Sequence, residues 1–188
     1  MSENTLNNKI LLRHLGGLDE NDLKFIEEQF DNLNLGFKYI SHNGEVTNSL
    51  PDFSLEVFYV LSSPFLQETI KHIGKNVVWE SLKAIFIYTR NKLKNQEYSQ
   101  ITKDNVVKKP IKFGINAVLD NNTSYNFELS GNLSDELIDR SLDKMLDFLK
   151  EQKANEKYEY TSYVRFSSKN DEWETESLQE YISKKINK

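Results

Sequence analysis

Between Ile111 and Ser130 apolar and polar residues alternate on both sides of an Asp/Asn-rich turn, and this rhythm constrains the fold more than any other stretch. Ile111, Phe113, Ile115, Ala117 and Leu119 alternate with Lys112, Gly114, Asn116 and Val118. After Asp120-Asn121-Asn122 come Thr123, Tyr125, Phe127 and Leu129 against Ser124, Asn126, Glu128 and Ser130. A period of two sends successive side chains to opposite faces of a strand, so two such runs around a turn predict an antiparallel hairpin with one face in a core. Asn and Asp suit the turn because they tolerate positive φ and hydrogen-bond nearby backbone. The bulky set must face inward. What remains outside, chiefly Asn126 and Glu128, is a poor platform for stacking nucleobases, and the K/R-G-F/Y-G/A-F-V-x-F/Y signature of RNA-recognition domains does not occur.

Around this hairpin the other elements follow in order. Ile10-Leu11-Leu12 suggests a short strand. Asp19 can cap a helix whose apolar residues Leu23, Ile26, Phe30 and Leu33 recur at helical steps, closed by Gly36 and followed by a strand from Phe37 that ends near Asn43-Gly44. Glu45 to Asp52 reads as a loop. Leu55 to Leu61 is apolar on both faces apart from Glu56, the pattern of a central strand covered on both sides. Ser63-Pro64 supplies a cap and a first-turn proline for a helix through Leu66, Ile70 and Ile73 that stops at Gly74. Asn76 can cap the next, with Val78, Leu82, Ile85, Phe86 and Leu93 on one side; residues 84–89 are β-prone, but length and flanking periodicity favour helix. Asn95 to Pro110 reads as a polar connection. Ser134 caps the most regular helix, with Leu137, Ile138, Leu142, Met145, Leu146 and Leu149 inward. A strand follows from Tyr158 to Phe166, and Asp171 is expected to start a last helix using Trp173, Leu178, Tyr181, Ile182 and Ile186.

From Leu55 to Phe166 the order is strand, helix, strand, strand, helix, strand, which is that of a ferredoxin-like, split βαβ sheet. The expectation is therefore a single α+β domain over 1–188. Its core is about 55–167; residues 1–54 add a helix and strand, and residues 168–188 a helix. A chain of 188 residues fits one domain, and 11 Phe with 9 Tyr provide core material that disordered chains lack.

Composition excludes some chemistry. With no cysteine there is no disulfide, thiolate metal site or cysteine nucleophile. The first residues lack a basic start and an apolar run, and no segment approaches a membrane span, so a cytoplasmic protein without membrane contact is expected. Lysine outnumbers arginine 20 to 4, alongside 20 asparagines, a bias typical of AT-rich coding and hence of a low-GC bacterial source. No P-loop, dinucleotide, nucleophile-elbow or H-E-x-x-H signature is present, so no cofactor or metal is expected. Glu68 and His72 stand four apart on a helix without a third ligand. His14 and His42 read as loop or edge residues, and Asp143 and Asp147 as a solvated pair.

The strongest charge feature runs from Lys83 to Lys112. It carries a balance of +6 in a chain whose formal charge is −5, leaving −11 elsewhere, so the molecule should be a dipole. Within it Lys94, Lys103, Lys108, Lys109 and Lys112 are the candidate anion-binding residues, because clustered lysines attract phosphates. Solvated lysines reflecting codon bias are the plainer explanation. No family resemblance is carried by these residues. The leading expectation is a non-catalytic interaction protein: a small acidic inhibitor, immunity or accessory protein that binds a macromolecular partner, most readily another protein, through its acidic surface. A nucleotide or nucleic-acid binding domain using Lys83 to Lys112 comes second. An enzyme whose site is assembled from scattered residues comes third.

Overall fold

The computed structural model describes residues 9–42, 55–71, 77–101, 105–120, 123–129, 133–154, 162–176 and 183. In chain order these form β1 (Lys9–His14), α1 (Glu20–Asn32), β2 (Gly36–Ser41), β3 (Val57–Leu61), α2 (Ser63–Lys71), α3 (Val77–Leu93), β4 (Glu97–Ile101), β5 (Val106–Pro110), β6 (Phe113–Val118), β7 (Ser124–Glu128), α4 (Asp135–Ala154), β8 (Ser162–Ser167) and β9 (Glu172–Glu176). The chain is a mixed α+β structure with a seven-stranded mixed sheet in the order β2-β1-β3-β6-β7-β8-β9.

Parallel and antiparallel pairings alternate across that sheet. β1 and β2, β3 and β6, and β7 and β8 are parallel, each pair joined through helices; β1 and β3, β6 and β7, and β8 and β9 are antiparallel. This corrects the ferredoxin-like expectation. A split βαβ needs a third strand between the two that a helix connects, whereas β6 lies directly beside β3 and β8 directly beside β7. The same string of elements fits both arrangements, and only long-range pairing distinguishes them.

The expected hairpin is present as β6 and β7, with Ile115 opposite Phe127 and Ala117 opposite Tyr125, all four buried. Gly114 is required there. A Cβ at this position would collide with the Phe127 carbonyl and lie 2.6 Å from the Leu55 side chain. All four helices pack against the face that carries these residues. Phe30 of α1 stacks on Phe37 at 4.5 Å, Phe86 of α3 meets Tyr59 at 4.8 Å, and Phe148 of α4 meets Tyr125 edge-on at 5.3 Å. Tyr59, fully buried, shares a 2.8 Å hydrogen bond with Thr89, which satisfies the one polar atom it brings into the core.

Local signals account for most helix ends. Asp19 accepts from the Asp22 amide at 2.9 Å and Asp22 reciprocates, a complete capping box. The Ser134 hydroxyl accepts from the Leu137 amide at 3.3 Å. Residues 84–89 lie within α3, as the periodicity indicated. α2 begins at Ser63 itself, so the capping position moves one residue earlier to Ser62, whose carbonyl receives the Leu66 amide at 3.0 Å. Leu137 is half-buried, while Ile138, Leu142, Met145 and Leu149 are fully buried.

Three expectations change. β3 is interior to the sheet, and among the described residues helices cover the face of Tyr59 while Phe58 and Val60 on the other face are half-buried. Residues 172–176 are a strand, not a helix: Asp171, at φ 55°, turns the chain so that β9 returns along β8 and puts Trp173 opposite Phe166. The Asn95 to Pro110 connection holds the β4–β5 hairpin, whose strands, among the described residues, form a separate two-stranded sheet. The expected loop at Glu45 to Asp52, the cap at Asn76, Tyr158 and Tyr160, and Leu178 through Ile182 lie outside the described residues. No helix among the described residues is long and apolar enough to cross a membrane.

Candidate interaction site

The basic stretch folds into two parts with different fates. On α3 Lys83 and Arg90 turn inward, and Lys92 pairs with a carboxylate at the surface. Lys83 is 3% exposed and meets Glu80, Asp139 and Asp143 at 3.0–3.1 Å. Burial works to lower its pKa, but those three carboxylates outweigh it and the ammonium is held above its ordinary range. Arg90, also buried, donates to the Leu129 carbonyl at 3.2 Å and the Leu133 carbonyl at 2.7 Å and lies 3.5 Å from Asp135. Lys92 reaches Asp22 at 2.7 Å, beside the Tyr88 hydroxyl that donates to the same carboxylate at 2.9 Å. These contacts tie α3 to α4 and α1. Asp143 is exposed, as expected, but it also holds both Lys83 and the Trp79 indole at 3.0 Å.

The second part projects from the far end of α3 as the β4–β5 hairpin. Its base is fastened through Glu56, whose buried carboxylate accepts from the Tyr98 hydroxyl at 3.0 Å and from the Lys112 amide at 2.8 Å. Burial pushes this carboxyl up, against the lowering pull of those two donors. Beside it Gln96 donates to the Gly17 carbonyl at 3.0 Å. Gly17 is at φ 83° with the Leu93 side chain 2.7 Å from where a Cβ would stand, so both backbone and space demand glycine.

Beyond this anchored base the hairpin is exposed. Ile101 is 67% exposed, Val106 65% and Val107 43%, and Lys108 beside them is exposed. β-branched residues form the strands but have no core to enter. Where β5 ends, a cleft of about 330 Å³ opens against α3 and β6, with apolar walls from Leu93, Pro110, Ile111 and Phe113 and with Lys94 and Lys112 in its lining.

The five candidate anion-binding lysines are thus divided. Lys94 and Lys112 share the cleft, Lys108 and Lys109 are successive residues of β5, and Lys103 lies outside the described residues. Sequence reasoning missed Ile101, Val106 and Val107 because they sit in a stretch taken as polar. The signal available was two β-branched steps, Ile101-Thr102 and Val106-Val107, around Lys103-Asp104-Asn105.

Elsewhere, His14 is not an edge residue. It faces the core from β1 at 2% exposure, and burial together with the like charge of His42 lowers its pKa. No cluster of three or more His, Cys, Asp or Glu able to hold a metal ion occurs among the described residues, and His72, the companion of Glu68, lies outside them. No family model, curated protein or solved structure matches this chain.

Proposed function

We propose that this chain is a non-catalytic interaction protein whose docking element is the β4–β5 hairpin. The observation that carries the reading is the exposure of Ile101, Val106 and Val107 on a hairpin outside the main sheet yet fastened at its base by Glu56. Exposed β-branched residues are costly to solubility and suit a surface that a partner covers. A rigid base and an uncovered arm suit recognition of a macromolecule. The acidic surface expected to do this work is partly spent on ion pairs with Lys83, Arg90 and Lys92, which moves the proposed contact from the acids to the hairpin.

Affinity capture from source lysate with the purified chain, against an Ile101→Lys/Val106→Lys variant, tests this. A stoichiometric macromolecular complex that the variant loses, while its thermal unfolding is unchanged, is the expected result. Turnover of a small molecule by the lone protein, or a complex indifferent to the variant, would overturn it.

The cleft favours a second reading, an anion site for a nucleotide or nucleic-acid phosphate on Lys94 and Lys112. It ranks lower for three reasons: Arg90 is already satisfied, Glu128 lies in the same lining, and the carbonyl end of α3 repels an anion there.

A further inference from the structure

We infer that the hairpin recognises its partner by strand addition: an extended, acidic polypeptide segment pairs along the outer edge of β5 and runs toward the cleft at its base. The inference rests on the docking role proposed above and names its chemistry.

The backbone decides which edge is available. The Ile111 amide donates to the Gln96 carbonyl at 3.0 Å, just outside the paired register in which Tyr98 faces Lys109 and Gln100 faces Val107. Inward and outward backbone groups alternate along an antiparallel ladder. Lys109 and Val107 therefore spend their amides and carbonyls inside the hairpin, while Val106, Lys108 and Pro110 turn theirs outward. Pro110 fits that reading, because a proline lacks an N–H and is tolerated where a strand points away from its partner. The outward amides of Val106 and Lys108 remain for an incoming strand. Such an edge, on a two-stranded sheet with no third strand among the described residues, is the geometry that strand-adding recognition uses.

Charge selects β5 over β4 and sets the sign of the partner. β5 carries Lys108 and Lys109, whereas β4 carries Glu97. Val106 and Lys108 lie on one face of β5 and Val107 and Lys109 on the other, so a segment with Asp or Glu opposite the two lysines and Val, Ile or Tyr opposite the two valines would match both faces. Its apolar side chains would cover Val106 and Val107, and a terminal one could enter the cleft between Leu93, Pro110 and Ile111. A nucleic-acid phosphate shares the charge logic but uses neither the outward amides nor the apolar tip.

The test selects a random peptide display library on the full-length chain and measures the strongest peptide against two variants. Lys108→Gln and Lys108→Pro both remove the charge, but only the proline removes the outward N–H while leaving the inner ladder intact. The expected result is enrichment of sequences that join two adjacent acidic residues to two adjacent β-branched or aromatic ones, with affinity for Lys108→Pro at least about tenfold below that for Lys108→Gln. Equal affinity for the two variants, selection of basic or uncharged sequences, or tighter binding of a single-stranded oligonucleotide would overturn strand addition. If Ile101→Lys/Val106→Lys abolishes binding while Lys108→Pro and Lys108→Gln bind alike, the docking role stands and strand addition alone fails.

Discussion

At the scale of single residues, His14 shows how far environment can depart from sequence. A histidine two positions after Leu12 reads as the ragged end of a short strand, yet the β1–β3 register places it opposite Val57 on the core face. Sequence periodicity does contain this, since Ile10, Leu12 and His14 share one parity. What it lacks is evidence that the strand continues that far inside the sheet. The consequence is a pH dependence. Burial first and His42 second hold the imidazole below its ordinary 6.5. A base with a lowered folded pKa binds more protons when unfolded, so its contribution is intact above pH 6.5 and is lost as pH falls below it. The slope cannot exceed about 1.4 kcal/mol per pH unit. Glu56, whose carboxyl is raised by burial, works with the opposite sign: it favours the folded state as pH falls through its own folded value. Urea unfolding of wild type and His14→Leu over a pH series isolates the histidine. The variant should lose the part of the slope that begins near 6.5, and an unchanged difference curve would contradict the placement of His14.

At the scale of elements, legibility follows how locally each one is specified. The β6–β7 hairpin, α1 and α4 were readable because period, turn and cap agree within one short window: Asp19 with Asp22, Ser134 with Leu137, and the Asp120 turn between two alternating runs. β9 was not. Trp173, Leu178, Tyr181 and Ile182 form a passable helical stripe on paper, and only the left-handed turn at Asp171 and the pairing of Trp173 with Phe166 make residues 172–176 extended. The β4–β5 hairpin escaped for a different reason. It buries little, so the usual alternation of core and solvent positions is absent from its sequence. Phe127 tests the legible part. It is fully buried, meets Trp173 edge-on at 4.8 Å and Phe148 at 5.7 Å, and joins β7, α4 and β9. Phe127→Ala should cost about 3–5 kcal/mol in chemical denaturation. A loss under about 1 kcal/mol would mean that the hairpin faces the other way.

At the scale of the whole molecule, the charge pattern differs from what a linear count suggests. The +6 stretch from Lys83 to Lys112 was expected to form one pole of a dipole. Folding instead sends Lys83 and Arg90 into the interface of α3 with α4, and Lys92 to α1, where carboxylates distant in sequence neutralise them. Adjacency in sequence could not show this, because the partners arrive from Asp22 and from Asp135 to Asp143. The later lysines of the stretch, Lys94, Lys108, Lys109 and Lys112, stand at or near the exposed apolar hairpin. The central claim is that this hairpin is where a partner docks. Amide hydrogen exchange of the full chain, measured free and in the stoichiometric complex captured from lysate, tests that most directly. The account predicts that protection gained on binding concentrates at Val106 and Lys108, with the seven-stranded sheet unchanged. Protection confined to the β2 edge, the outer face of α1 or β9, with the hairpin amides unaffected, would contradict it.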